Sequence, residues 1–82
     1  MDYRTVFKPQ ALKDLGAVPR KEGRRILGRM EELEHDLAGD VKRLASHRPE
    51  YRLRVGNYRV LFELEGDQIV VYRILHRKEA YR

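Results

Sequence analysis

Alternation of apolar and charged residues from Glu50 to Leu64, interrupted once by Gly56-Asn57, constrains this chain more than any other feature. A period of two predicts a pair of β-strands that each bury one face, and glycine at the first central position predicts a tight hairpin turn. If the turn has two residues, Val55 pairs with Tyr58 and one face collects most of the apolar side chains. The rest of the chain must cover that face.

Two amphipathic helices are predicted before this hairpin and can provide the cover. Pro9 suits the first turn of a helix whose apolar stripe ends at Gly16. A second helix is predicted from near Pro19 to about Ala38, with Gly39 as its stop signal. Its apolar residues are spaced by four, three and four, which places them on one face: Ile26, Met30, Leu33 and Leu37. We expect the two helices to form a hairpin on the sheet.

Two further strands are predicted at the ends of the chain. The segment from Asp2 to Phe7 is rich in aromatic and β-branched residues and predicts a first strand. A turn at Gly66-Asp67 leads into a last strand, Gln68 to His76, which is apolar on both faces and therefore expected inside the sheet. The expected fold is α+β, in the order β-α-α-β-β-β, with the helix hairpin on one face of an antiparallel sheet. A length of 82 residues predicts a single domain, 1–82.

Composition excludes several classes of site. The chain has no cysteine, which removes disulfides, a thiolate nucleophile and any zinc site with cysteine ligands. No His-Glu-x-x-His motif or carboxylate spacing predicts a metal ion, and no cofactor is expected. The sequence has neither an apolar run of membrane-spanning length nor a signal-type N-terminus, so we expect a cytoplasmic protein without membrane contact.

The net charge of +5 is confined to the second half of the chain. Residues 1–41 carry 8 basic and 8 acidic side chains, whereas residues 42–82 carry 10 and 5. Arginine also outnumbers lysine in that second half, and its planar fork suits phosphate. This distribution favours a polyanionic partner, although a mildly basic soluble domain has the same balance.

The predicted hairpin register gathers part of this charge. With a two-residue turn, Arg54 lies opposite Arg59, and Arg52 shares their face. Like charges directly opposite in a sheet destabilise it by roughly 0.2–1 kcal/mol per pair. Such a face suits an anion-binding site; it is equally compatible with a solvated outer face whose arginines extend into water. A second basic group follows at the end of the last strand, where His76, Arg77, Lys78 and Tyr81 lie within six residues.

The second half of the chain resembles the RelE branch of the RelE/ParE toxin superfamily. The similar segments are YRLRVGNYRVLF (51–62) and IVVYRILHRKEAYR (69–82), and the first strand, the helix from Pro9 to Leu15 and the stop after the long helix also fit. The resemblance implies a small toxin of a type II toxin–antitoxin pair that enters the ribosomal A site and cleaves mRNA there. It further implies a metal-independent reaction in which the ribose 2′-OH attacks its own phosphate.

The resemblance also implies a role for each matching residue. Arg52 and Arg54 stand where two basic residues grip the scissile phosphate and help activate the 2′-OH. Arg59 stands where an arginine stabilises charge on the transition state. Arg77 corresponds to the arginine that helps protonate the 5′-O leaving group, and Tyr81 to the tyrosine that stacks on or orients the nucleotide.

The identity of the general base is left open. The family often has lysine on the second strand, whereas arginine effectively cannot lose its proton, so Arg54 is a poor base. Either the arginines act only by electrostatics, or His76 takes part. A symmetric turn before the last strand would pair Leu64 with Ile69 and place His76 on the arginine face, whereas one bulged residue would turn it away. Arg73, His76 and Lys78 are expected to add RNA contacts.

Two other functions remain compatible with the residues. One is that of the ParE-like branch, which shares the fold and targets DNA gyrase; Arg59, Arg77 and Tyr81 together argue against it. The other is a non-enzymatic RNA-binding or adaptor domain, because charge predicts binding and not chemistry. The partners that the resemblance implies are a cognate antitoxin, the ribosome and mRNA, with operator DNA as a further partner open to the toxin–antitoxin complex.

Overall fold

Two helices and five strands make up the chain in a computed structural model, which describes residues 1–80. The five strands form one sheet in the order β1-β5-β4-β3-β2. This α+β arrangement confirms the predicted fold class. The elements are β1 (Arg4–Phe7), α1 (Pro9–Ala17), α2 (Arg20–Leu33), β2 (Val41–Arg43), β3 (Tyr51–Val55), β4 (Tyr58–Glu65) and β5 (Gln68–His76).

The sheet contains one strand and one pairing that periodicity did not predict. Three residues form β2, which pairs antiparallel with β3 and is too short for any alternation to be recognised. The outer strand β1 runs parallel to β5, so the prediction of an antiparallel sheet is wrong for this pair and the sheet is mixed. The pairings of β3 with β4 and of β4 with β5 are antiparallel as expected. The prediction that the last strand lies inside the sheet is confirmed, because β5 has β1 on one side and β4 on the other.

The second helix is shorter than its apolar spacing predicted. It ends at Leu33 and not near Ala38, and Asp36 has a left-handed φ of 56°. The N–H of Tyr3 donates to the carbonyl of Glu34 at 2.8 Å, which is the carbonyl that a continued helix would offer to Ala38. The start of the chain therefore competes with the last helical turn. No helix within residues 1–80 is long and apolar enough to span a bilayer.

The hydrophobic core lies between the helix pair and one face of the sheet, as predicted. Phe62 is fully buried at the centre of the sheet, and its ring stacks on Tyr51 with centroids 5.5 Å apart. The helices contribute Ala11, Ile26, Met30 and Leu33, and the strands contribute Leu53, Val55, Val60, Phe62, Ile69, Val71 and Ile74. No helix within residues 1–80 covers the opposite face of the sheet, and this outer face carries the arginines.

Helix α1 also provides a hydrogen-bond partner for the part of the β5 edge that β1 does not reach. The pairing with β1 ends at Phe7 and Val71, and beyond it the N–H of Ile74 donates to a carboxylate oxygen of Asp14 at 2.9 Å. The same carboxylate binds Arg73. Burial alone would raise the pKa of Asp14, but the hydrogen bonds from Arg73 and Ile74 outweigh burial, so the pKa is lowered. This charged contact replaces the missing strand partner.

Candidate anion-binding site

The β3–β4 hairpin has the register that its turn predicted. Val55 pairs with Tyr58, and Arg54 lies directly opposite Arg59. Arg52 lies two residues from Arg54 on the same face, opposite Leu61. All three arginines therefore share the outer face of the sheet, as expected. We call Arg52, Arg54 and Arg59 the arginine cluster.

Arg59 is held more tightly than a solvated surface arginine. Only 8% of the residue is exposed, and its Nη1 donates to the carbonyls of Gly56 and Tyr58, both at 2.9 Å. Gly56 has a φ of +57°, a left-handed conformation that allows the turn carbonyl to meet this guanidinium. Within residues 1–80 no carboxylate forms an ion pair with Arg59. A buried cation without an anion costs free energy, so this position favours a bound anion.

Arg52 and Arg54 meet a carboxylate that sequence patterns did not single out. The Nη1 of Arg52 lies 3.2 Å from both the carbonyl oxygen and Oδ1 of Asp40. The Nε of Arg54 lies 4.0 Å from Oδ2 of the same carboxylate. Asp40 directly precedes β2, so its position opposite Arg54 became visible only with that strand. No motif or spacing in the sequence points to it.

The two arginines differ in exposure. The Arg52 side chain is 12% exposed, and its buried Nε has no hydrogen-bond partner among residues 1–80. The Arg54 side chain is 57% exposed. Arg54 is therefore the member of the arginine cluster that reaches solvent, whereas Arg52 and Arg59 lie deeper.

The segment after β5 docks at the tip of the same hairpin. The N–H of Arg77 donates to the carbonyl of Asn57 at 2.7 Å, and the N–H of Glu79 donates to that of His76 at 2.8 Å. Arg77 and Lys78 are exposed beside the turn that holds Arg59. Tyr81, the residue expected to stack on a nucleotide, lies outside the described residues.

A β-bulge decides the position of His76. Leu64 pairs with Ile69 as a symmetric turn requires, but the register then shifts between Leu61 and Phe62. The shift leaves Tyr72 as the extra residue of β5 and places His76 opposite Tyr58, on the side of the helices. Of the two arrangements considered for His76, the bulged one is observed.

The imidazole of His76 is correspondingly engaged away from the arginine cluster. Its ring packs edge-on against Tyr58, with centroids 5.5 Å apart, and its Nδ1 accepts a hydrogen bond from the N–H of Lys78 at 3.2 Å. The ring lines a cleft of about 330 Å³ together with Arg25 and Asn57. A role for His76 as base to a phosphate held by Arg54 and Arg59 has no geometric support.

Arg73 also differs from the cluster. It pairs with Leu61 in the register of the outer face, but its Nε and Nη2 donate to the carboxylate of Asp14 at 2.8 and 3.3 Å. The hydrogen bond to Asp14 raises the pKa of Arg73. Its contact with RNA stays a prediction, and its observed partner, Asp14, has a structural role.

Within residues 1–80 no group of three or more His, Asp or Glu side chains is arranged to hold a metal ion.

Comparison with known proteins identifies the family. The family model described as the ParE toxin of type II toxin-antitoxin system, parDE, matches residues 5–81. The chain is similar to Toxin RelE3 of Methanocaldococcus jannaschii, with 39% identity over 83 residues that cover 95% of this chain and 94% of the relative.

Solved structures show the same fold. The RelB-RelE antitoxin-toxin complex from Methanococcus jannaschii matches with a TM-score of 0.77 and 38% identity, over 93% of this chain and 94% of that chain. The archaeal RelE-RelB complex from Pyrococcus horikoshii OT3 matches with a TM-score of 0.78 and 28% identity, over 98% of this chain and 100% of that chain. The toxin-antitoxin complex RelBE2 from Mycobacterium tuberculosis shows the likeness in fold alone, with a TM-score of 0.80 and 22% identity, over 94% of this chain and 100% of that chain. The chain therefore belongs to the RelE/ParE family of toxins of type II toxin–antitoxin systems, and it is RelE-like.

Proposed function

We propose that this toxin is a ribosome-dependent endoribonuclease that cleaves mRNA in the A site and thereby inhibits translation. In the reaction, the 2′-oxygen of a ribose forms a bond to the adjacent phosphorus while the bond from phosphorus to the 5′-oxygen breaks. The 2′-OH loses its proton and the 5′-oxygen gains one, which leaves a cyclic phosphate on the upstream fragment. The reaction takes place in the cytoplasm, on translating ribosomes.

The buried Arg59 is the observation that carries this proposal. A guanidinium fixed by two backbone carbonyls, and without a carboxylate partner in residues 1–80, is preorganised for a group that gains negative charge. The phosphorane-like transition state has that property. Arg54, directly opposite and more exposed, is suited to receive the phosphate first.

The arginines act in this scheme by orientation and charge. Arginine does not give up its proton in proteins, and the ring of His76 lies on the other side of the sheet. Arg52 and Arg54 therefore hold the phosphate in line with the 2′-OH, and Arg59 neutralises the charge that develops. Arg77, at the hairpin tip, serves the 5′-oxygen, and Tyr81 orients the nucleotide.

The proposal is tested by adding the purified protein to a reconstituted translation system and mapping mRNA 5′ ends. We expect cuts inside A-site codons. A message with a 2′-deoxyribose at the cut position serves as the matched control, because it lacks the attacking hydroxyl and should stay intact. If the unmodified message stays intact while it is actively translated, the proposal is overturned.

Inhibition of DNA gyrase is the second candidate, because the matching family model is that of ParE toxins. The same protein is added to a supercoiling assay. Stalled gyrase with intact message supports this candidate, whereas cleaved message with normal supercoiling supports the ribonuclease. Binding to RNA without either effect would indicate an adaptor domain.

A cognate antitoxin is the proposed protein partner. The similar solved structures are complexes of a RelE toxin with its antitoxin, which supports this assignment. Because the arginine cluster is cationic, we expect the antitoxin to be acidic where it touches this face. It should cover the cluster or displace the segment that bears Arg77 and Tyr81. A complex in which the antitoxin avoids both regions would count against the site. Operator DNA is a further expected partner of the complex.

A further inference from the structure

Asp40 occupies a defined position beside the arginine cluster. Its Oδ1 faces Nη1 of Arg52 at 3.2 Å and its Oδ2 faces Nε of Arg54 at 4.0 Å, so one carboxylate spans two guanidinium groups. Its backbone carbonyl accepts from the N–H of Arg54 at 2.9 Å and from Nη1 of Arg52. Six atoms of two arginines and one aspartate therefore form a single network.

The backbone before Asp40 fixes this placement. Gly39 has a φ of +124°, which side chains with a Cβ rarely adopt. A Cβ at that position would also lie 3.0 Å from the Cδ1 of Leu53, a core side chain. The chain therefore turns sharply at Gly39, and Asp40 is delivered to the outer face where β2 begins.

The carboxylate imitates part of a phosphate. A phosphate group presents two non-bridging oxygens to adjacent guanidinium groups, and the two oxygens of Asp40 do the same to Arg52 and Arg54. We propose, on the basis of the function proposed above, that Asp40 is a positioning residue: it holds Arg52 in its phosphate-binding orientation and occupies the anion position of Arg54 until RNA arrives.

The two contacts of Asp40 predict what happens when a phosphate enters. The 4.0 Å contact with the exposed Arg54 is weak and is given up to the phosphate. The contacts with the 12%-exposed Arg52 are hydrogen bonds, one of them to a backbone carbonyl, and they persist. Asp40 thus lowers RNA affinity through its charge and supports the reaction through its hydrogen-bond acceptor.

Binding of an uncleavable RNA tests the effect of charge. The probe is an oligoribonucleotide methylated at every 2′-oxygen, and the variant is Asp40→Asn. We expect the Kd of this variant to fall about fivefold, because the substitution removes a negative charge that repels the phosphate. Asp67→Asn is the matched control: Asp67 has the same charge and similar exposure, pairs with Arg4 at 3.8 Å, and lies beyond the far end of β4. Equal Kd values for the two variants would overturn the proposal.

The single-turnover cleavage rate at a saturating concentration of ribosomes programmed with mRNA tests the effect of the hydrogen-bond acceptor. Asp40→Asn keeps an oxygen that can accept from Arg52 and should cleave at nearly the wild-type rate. Asp40→Ala removes that oxygen and should cleave about fivefold more slowly while still binding more tightly than wild type. Equal rates for both variants would exclude the positioning role.

The two arms also separate this inference from the proposed function. If wild-type protein leaves mRNA intact, the ribonuclease assignment fails, but the uncleavable RNA still reports whether Asp40 competes for the arginines. If Asp40→Ala does not fold, as judged by circular dichroism, the binding comparison of Asp40→Asn with Asp67→Asn decides the proposal.

Discussion

The two faces of the sheet remove their side chains from water in different ways. Toward the helices, Val60 and Phe62 are fully buried among apolar neighbours. On the outer face, Arg59 is nearly as buried, but two backbone carbonyls accept hydrogen bonds from its Nη1. Arg52 is held by the backbone carbonyl and the carboxylate of Asp40. Burial on the helix-facing side therefore stabilises the fold, and the burial of Arg52 and Arg59 on the outer face immobilises cations.

This difference shows what each face contributes. Burying apolar surface stabilises the folded state, whereas burying a cation costs free energy unless its hydrogen bonds are met. A chain of this size has little stability to spare. Retaining three arginines on the outer face is consistent with a site that binds and stabilises negative charge, and the following changes test that separation of roles.

The largest expected effect is on stability and comes from the helix-facing side. Phe62→Ala should lower the free energy of unfolding by about 3–5 kcal/mol, because a fully buried ring is lost and a cavity remains. Urea denaturation measures the change. Leu12→Ala, at an exposed position of α1, is the control and should cost less than about 0.5 kcal/mol. Similar losses for both variants would mean that this face is not the main source of stability.

Arg59→Ala should strongly reduce the cleavage rate and only slightly reduce stability, in contrast to Phe62→Ala. Single-turnover cleavage should slow by about 10²–10³, or about 2.7–4 kcal/mol in the barrier, because transition-state charge loses its partner. The free energy of unfolding should fall only by about 0.5–1.5 kcal/mol for each hydrogen bond lost to the turn. Arg43→Ala, on β2 and paired with Glu50, is the control and should cleave normally. A folded Arg59 variant with wild-type activity would refute the assignment.

Asp14→Ala should destabilise the fold in a pH-dependent way. The loss of the contacts with Ile74 and Arg73 should cost about 1–3 kcal/mol at neutral pH. Because the folded-state pKa of Asp14 is lowered from 3.8, its contribution is complete above that value and is lost as pH falls through the folded-state pKa. Urea denaturation of both proteins from pH 7 to pH 2 should show their stabilities converging at the acidic end. A constant difference would exclude this ionisation.

His76→Gln should have the smallest effect. Because the ring packs on Tyr58 and lies away from Arg54 and Arg59, cleavage should change by less than about threefold. The single-turnover rate is measured across pH 5 to 8. An acidic limb in the wild type that disappears in the variant would restore His76 as a base and would contradict the separation of the two faces.

Much of the site could be predicted from sequence because a hairpin is local. The period of two assigns each side chain of β3 and β4 to a face, and a two-residue turn sets the register, so Arg54 opposite Arg59 followed from residues a few positions apart. The apolar stripe of α2 likewise predicted which of its residues face the core: Ile26, Met30 and Leu33.

Other features depended on contacts between distant segments. The end of α2 shifted because Tyr3 takes the carbonyl of Glu34, and the parallel pairing of β1 joins opposite ends of the chain. The short strand β2 is stabilised by pairing with β3, so the sequence carries no signal for Asp40 beside the arginine cluster. Local patterns contain no information about such partners.

The bulge in β5 shows most directly what sequence alone left undetermined. The segment from Ile69 to Tyr72 is apolar on both faces, so its pattern does not mark the bulge. The shift at Tyr72 then places Ile74 and His76 toward the helices and Arg73 and Leu75 on the outer face. In the observed register Ile74 packs in the core, and its N–H and the Arg73 side chain both bind Asp14 of α1. That register turns His76 away from the arginine cluster. The sequence thus determined which cations share a face, and the tertiary structure decided which groups accompany them, because register in a two-sided apolar strand is set by what covers it.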